Sequence, residues 1–225
     1  MWTVSGRLLK VRRLGVVGFA EALELQQRLV VSRQQDHIVD ELLLLEHPSV
    51  ITLGVSSKRD NVLASPSVLA DRGIEVHETR RGGDVTFHGP GQLVGYPIMS
   101  LKPDRCDLHR YVRDLEEVVI RTAASFDVRS TRIPGLTGVW VGTEKLAAIG
   151  VRLSRWVTSH GFAVNVTTRL DDFSLIRPCG LRGYGVTSLE QLTTTSVSIQ
   201  AVTEVLTGHF ASVFERQTIP ELYEN

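Results

Sequence analysis

The sequence has little cysteine, no net charge and no long apolar run. Two cysteines in 225 residues, Cys106 and Cys179, cannot form a disulfide framework. Lys+Arg and Asp+Glu both number 25, so the chain lacks the basic excess of a nucleic-acid or anionic-membrane binder. The apolar run Leu42–Leu45 is four residues, far short of a membrane span. No long apolar stretch follows Met1–Arg7, so no secretory signal is expected. A reducing, cytoplasmic setting with both thiols free is the expectation. No internal repeat, low-complexity tract or Pro/Gly/Ser-rich linker divides the chain, so residues 1–225 are read as one domain; a monomer is the expectation, though no pattern in the sequence fixes the oligomeric state. Hydrophobic residues at 42% and charged residues at 22% leave enough apolar material for a sizeable core.

What is present is patterned. Ala22, Leu25, Leu29 and Val30 recur at helical spacing, predicting a helix over 20–35. Glu41–Glu46 and Val50–Leu53 read as short strands ended by His47-Pro48 and Gly54. Ile74–Thr79 alternates like a half-buried strand. From Asp107 to Phe126 the apolar positions form one helical stripe, with Asp104 or Asp107 as cap. The period then shortens. Val139–Val141, Lys145–Leu153 and Val157–Val166 read as successive strands, the first two joined by a tight turn at Gly142-Thr143-Glu144. A closing helix covers Ser198–Phe214. The pattern predicts an α+β fold with a mixed, largely antiparallel β-sheet core flanked by helices.

Three segments carry candidate chemistry. Arg80–Gln92 holds four glycines and a proline in thirteen residues. Gly82-Gly83 lets the backbone turn close to a ligand, and Gly89-Pro90-Gly91 turns it again after His88. Arg80 and Arg81 offer a forked cation; the plainer reading is a glycine-rich hairpin with solvated arginines. The segment is neither a P-loop nor a dinucleotide fingerprint. In Pro178-Cys179-Gly180 the thiol sits on a shaped loop, with Arg177 and Arg182 to favour the thiolate. Cys179 is read as a nucleophile or as a small buried hydrophobe. Cys106, between acidic neighbours, is the poorer thiol candidate. Lys145 opens a strand of small residues and is expected to share a face with Ala147 and Ile149. It is either an edge charge or a desolvated amine. His160 and Asn165 are the polar exceptions in the next small-residue strand.

Together these segments resemble the lipoyl(octanoyl) transferase family. The matching pieces run in order from Glu46–Gly54 through Arg80–Gln92, Gly138–Gly142, Lys145–Gly150, Ser159–Val166 and Pro178–Gly180 to Gly185–Leu189. The resemblance implies a fold similar to the biotin and lipoate ligase catalytic domain. It implies octanoyl transfer from octanoyl-acyl carrier protein to one lysine of an apo lipoyl domain, without cofactor or metal. Acceptors of that kind are the lipoyl domains of 2-oxoacid dehydrogenase E2 subunits and the glycine cleavage H protein. Cys179 matches the acyl-thioester nucleophile, and Lys145 the partner that lowers its pKa. Arg81, Gly82, Gly83, Asp84, Val85, Thr86, Phe87 and His88 match one substrate-binding segment. Ala148, Ile149 and Gly150 match a second, and Gly161, Phe162 and Ala163 a third, with His160 and Asn165 in support. Asp84, Phe87 and Arg177 depart from commoner family residues. Three rivals stay open: an ATP-dependent ligase of the same fold, a non-catalytic lipoyl-domain binder, and a cysteine hydrolase using His88 or His160.

Overall fold

The computed structural model describes residues 7–103, 105–177 and 183–219. In chain order the elements are β1 (Arg7–Val16), α1 (Phe19–Gln34), β2 (Asp40–Glu46), β3 (Val50–Leu53), α2 (Pro66–Asp71), β4 (Glu75–Glu78), β5 (Thr86–His88) and β6 (Gln92–Ile98). Then come α3 (Leu108–Ala124), β7 (Thr131–Ile133), β8 (Leu136–Val141), β9 (Glu144–Ser154), β10 (Val157–Asn165), β11 (Gly185–Val186), α4 (Leu189–Leu192), α5 (Ile199–Phe214) and β12 (Arg216–Ile219).

The main sheet has the order β12-β1-β2-β6-β10-β9-β8-β7, and β11 joins β9. Its middle, from β2 to β7, is antiparallel throughout, while β12, β1 and β2 run parallel. A second small sheet has the order β4-β3-β5. The α+β expectation, with a mixed and mostly antiparallel sheet, is met.

Alternation along β2 shows how the sheet divides the molecule. Leu42 and Leu44 join the large core with Tyr111, Leu115 and Val118 of α3 and Leu206 and Phe210 of α5. Leu43 and Leu45 face the other way, into a cluster with Ala22 of α1, Val94, Tyr96 and Ala163. A third cluster, with Ile51, Leu69, Val85 and Phe87, lies under the small sheet. Buried side chains of this kind stabilise by about 1.5–3 kcal/mol each before chain entropy is counted. Asp107 caps α3 as its sequence suggests, its Oδ1 accepting from Arg110 N–H, and Ser198 Oγ accepts from Ala201 N–H at the start of α5. Asp104, the other cap candidate, lies outside the described residues.

Strands β1, β6 and β12 go beyond the sequence reading, which ran the glycine-rich segment through Gln92. In β6 all seven residues are buried. Among the described residues no helix is long and apolar enough to cross a membrane.

Candidate active site

A cavity of about 830 Å³ opens beside the main sheet on the α1 side. Its floor is made by β9 and β10. Ala148 pairs with Ala163 and Gly150 with Gly161, and all four line it. Two successive rungs thus carry almost no side chain, which leaves a trough. A Cβ at Gly150 would come within 2.9 Å of Gly82 O, so this position tolerates only hydrogen. Phe162 borders the cavity, but its ring sits where a Cβ on Gly95 would be, in the main core.

Lys145 stands at one end of the trough, and a β-bulge puts it there. Val139 pairs with Ala147, yet the next residue, Trp140, pairs with Lys145, so Leu146 is the extra residue. Leu146 and Ala147 both enter the large core, whereas Lys145, Ala148 and Gly150 line the cavity. The bulge corrects the expected sharing of one face by Lys145, Ala147 and Ile149: Ile149 packs on the core instead. The edge-charge reading also falls, because β9 is flanked by β8 on one side and by β10 and β11 on the other. Burial pushes the Lys145 amine down to about 8. Its Nζ lies 4.6 Å from the Trp140 ring centroid.

The glycine-rich segment forms the facing wall. Arg81, Asp84, Val85, Thr86 and His88 line the cavity. Gly82, Gly83 and Phe87 do not. Gly83 takes φ +87 and Gly82 N–H is bonded to Val151 O, so this pair shapes the loop, while the Phe87 side chain fills the core under the small sheet. Arg80 is exposed, but Arg81 is 8% exposed and turned inward. Its guanidinium donates to Thr52 O at 2.7 Å and Thr52 Oγ1 at 2.9 Å. Burial lowers its pKa to about 10. The forked cation is therefore largely spent on the fold. Asp84 Oδ1 accepts from Asn61 Nδ2 and from Val85 N–H.

A side-chain relay ties this wall to the Lys145 end. Asn165 Nδ2 donates to Thr187 O, which leaves Asn165 Oδ1 to accept from Gln92 Nε2 at 2.9 Å. Gln92 Nε2 also donates to Phe87 O, so Gln92 Oε1 accepts from His88 Nδ1–H at 2.7 Å. Thr187 N–H in turn donates to Lys145 O. The His88 tautomer is thereby fixed, with its lone pair on Nε2. His88 is pushed down to about 3 and His160 to about 4, both chiefly by burial, so both are neutral at pH 7. A second relay was not legible in the sequence. His47 Nδ1–H donates to Val17 O, so His47 Nε2 accepts from the Tyr96 hydroxyl at 2.8 Å, and Tyr96 lines the cavity. His47 sits next to Pro48 in a strand-ending motif, and that position gave no sign of a partner 49 residues away.

Cys179 and its neighbours Pro178, Gly180 and Arg182 lie outside the described residues. Arg177 and Tyr184, on either side of that segment, both line the cavity. Phe19, Gln92, Phe173 and Ile176 line it as well and were not singled out from the sequence. Cys106 is exposed, and no group of three or more His, Cys, Asp or Glu among the described residues could hold a metal.

Residues 19–211 match the lipoyl protein ligase A/B catalytic domain family. The chain is 51% identical over 210 residues to an octanoyltransferase of Solibacter usitatus, covering 93% of this chain and 94% of that one. Its fold is similar to that of a lipoate-protein ligase A solved with ATP, at TM-score 0.74 and 19% identity, over 96% of this chain and 90% of that one. It is more distantly similar to the biotin protein ligase of Aquifex aeolicus solved with biotin and ATP. There the TM-score is 0.52 and the identity 12%, over 93% of this chain and 70% of that one.

Proposed function

This chain belongs to the octanoyltransferases of the lipoyl protein ligase A/B catalytic domain family, and we propose that it takes octanoyl from octanoyl-acyl carrier protein and passes it through a Cys179 thioester to a lysine of an apo lipoyl domain. The observation that carries this reading is the trough, with a desolvated amine at one end and two rungs of small residues along its floor. An extended octanoyl chain is roughly 9 Å long at ordinary C–C spacings. Ala148 lies three residues from Lys145, about 10 Å along a strand. A chain whose carbonyl sits beside Lys145 therefore brings its methyl end up to the Ala148–Ala163 rung.

The chemistry follows in two balanced steps. The Cys179 proton passes to neutral Lys145, and the thiolate attacks the donor carbonyl. A carbon–sulfur bond forms to Cys179, the bond to the carrier sulfur breaks, and the carrier thiolate takes the proton back from Lys145. In the second step the acceptor amine attacks the acyl-cysteine. An amide bond forms, the Cys179 thiolate leaves, and the amine's proton reaches it through Lys145. An amine at about 8 gives and takes protons readily near neutral pH. Arg81, Gly82, Gly83, Asp84, Val85, Thr86, Phe87 and His88 shape one wall, with Gly82, Gly83 and Phe87 acting through the loop's form. Ala148, Gly150, Gly161 and Ala163 make the floor, and Ile149 and Phe162 anchor it from the core side. The setting is cytoplasmic, the working form a monomer, and the acceptors are lipoyl domains of 2-oxoacid dehydrogenase E2 subunits and the glycine cleavage H protein.

The hydrolase alternative is weakened by His88 and His160, whose pKa values near 3 and 4 make them feeble bases for a thiol. The ligase alternative is tested by leaving out nucleotide. The protein incubated with octanoyl-acyl carrier protein and an apo lipoyl domain, without ATP, is expected to modify the acceptor lysine. Transfer of free octanoate that requires ATP overturns the reading.

A further inference from the structure

The side chain that holds Lys145 is itself unusual. Trp140 is fully buried on β8, directly paired with Lys145 across the bulge. Its indole N–H is buried with no hydrogen-bond partner among the described residues. An unsatisfied buried donor costs stability, and phenylalanine would avoid it. The polar edge of the ring therefore does not account for a tryptophan here; the face does. Lys145 Nζ lies over that face at 4.6 Å, within cation–π range, and tryptophan provides the strongest such face. Tyr184 closes edge-on against the ring at 5.2 Å and fixes its tilt. Two residues back, Gly138 takes φ +128, and a Cβ there would meet Ala147 O at 2.7 Å and Lys145 Cε at 3.4 Å. A glycine is thus placed where the lysine stem needs room to lie on the ring.

We propose that Trp140 is a positioning residue for the transfer: its ring face fixes the Lys145 amine at the cavity wall and, by favouring the ammonium form, sets the pH at which that amine becomes a base. The proposal rests on the role given to Lys145 above. Ionisable and charged groups lie on several elements around Trp140 and the cavity. On α3 the buried Glu116 carboxylate is taken up by Gly138 N–H, Arg113 and Arg132. Glu144 is on β9 beside Gly185, Tyr184 precedes β11, and Arg177, Asp84, Arg81, His88 and His160 lie around the cavity. Burial lowers the amine pKa, and the Trp140 face is the contact that favours the cation.

The test has two readouts. One is the pH dependence of Lys145 labelling by an amine-reactive reagent, mapped by mass spectrometry. The other is the pH profile of octanoyl transfer. Both are taken for the wild type, for Trp140→Phe, and for protein carrying 5-fluorotryptophan, which weakens the face without changing the packing should the phenylalanine variant fail to fold. The labelling midpoint is expected to move to lower pH in both, by roughly half a unit for a modest cation–π contribution. An unchanged or raised midpoint overturns the proposal. A labelling shift with no matching shift in the transfer profile leaves Trp140's hold on the amine intact but overturns its part in transfer, and with it the proton role of Lys145.

Discussion

Lys145 costs the fold something, and that cost is measurable. The unfolded chain keeps the amine near its ordinary value of 10.5, while the folded protein lowers it to about 8. Between those values the unfolded state binds the extra proton, so stability rises as pH rises through about 8 to 10.5. Below pH 8 the folded protein carries the full penalty. Lys145→Met is therefore expected to raise stability at pH 7 by roughly 1–3 kcal/mol, a gain that fades above pH 10. Denaturant melts at pH 7 and pH 10.5 check this, and transfer activity should fall at least a hundredfold. A destabilised variant at pH 7 would contradict the burial argument. Sequence alone gave the lysine two readings, edge charge or desolvated amine. Only the pairing of β9 on both sides decides between them.

At the scale of the element, the trough depends on the paired small residues of β9 and β10. Ala148→Leu places a branched side chain on the nearer rung, opposite Ala163. Octanoyl transfer is expected to fall at least tenfold, and transfer of a butanoyl thioester much less. Rates with the two chain lengths check this; an equal loss for both would mean that the methyl end of the chain does not reach this rung. The small-residue strands were legible because Ala147-Ala148-Ile149-Gly150 and Gly161-Phe162-Ala163 are unlike ordinary core. Which face each residue takes was not, because strict alternation fails at Leu146 and a bulge leaves no mark in composition. Strand β6 escaped for a different reason. Gly95 and Pro97 usually argue against a central strand. Here Gly95 makes room for the Phe162 ring. Pro97 pairs with Leu42 of β2, whereas the register with β10 stops at Gly95, so no partner there needs its missing N–H.

For the whole molecule, zero formal charge means that little general self-repulsion acts near neutrality. Acid sensitivity should then come from particular buried groups. His88, His160 and His47 are all held neutral by burial, with folded values below the ordinary 6.5. The unfolded chain protonates them first, so stability falls as pH drops from 6.5 towards 4. The slope is on the order of 1.4 kcal/mol per pH unit for each histidine involved. Chemical denaturation at pH 7 and pH 5 should show this loss, and His88→Gln should flatten it; a flat profile in the wild type would contradict it. The α+β class and the long helices at 107–126 and 198–214 were readable from periodicity. The cavity was not, because it joins α1, the glycine-rich wall and two distant strands through contacts such as His47–Tyr96 that no local pattern records.

The proposed transfer is covalent at Cys179, and intact-mass analysis detects such an adduct without an activity assay. The protein is mixed with octanoyl-acyl carrier protein, the adduct is mapped, and apo lipoyl domain is then added. An octanoyl group on Cys179 that moves onto the acceptor lysine is the predicted result. Undiminished transfer by a Cys179→Ser variant, with no acyl adduct on the wild-type protein, would contradict it.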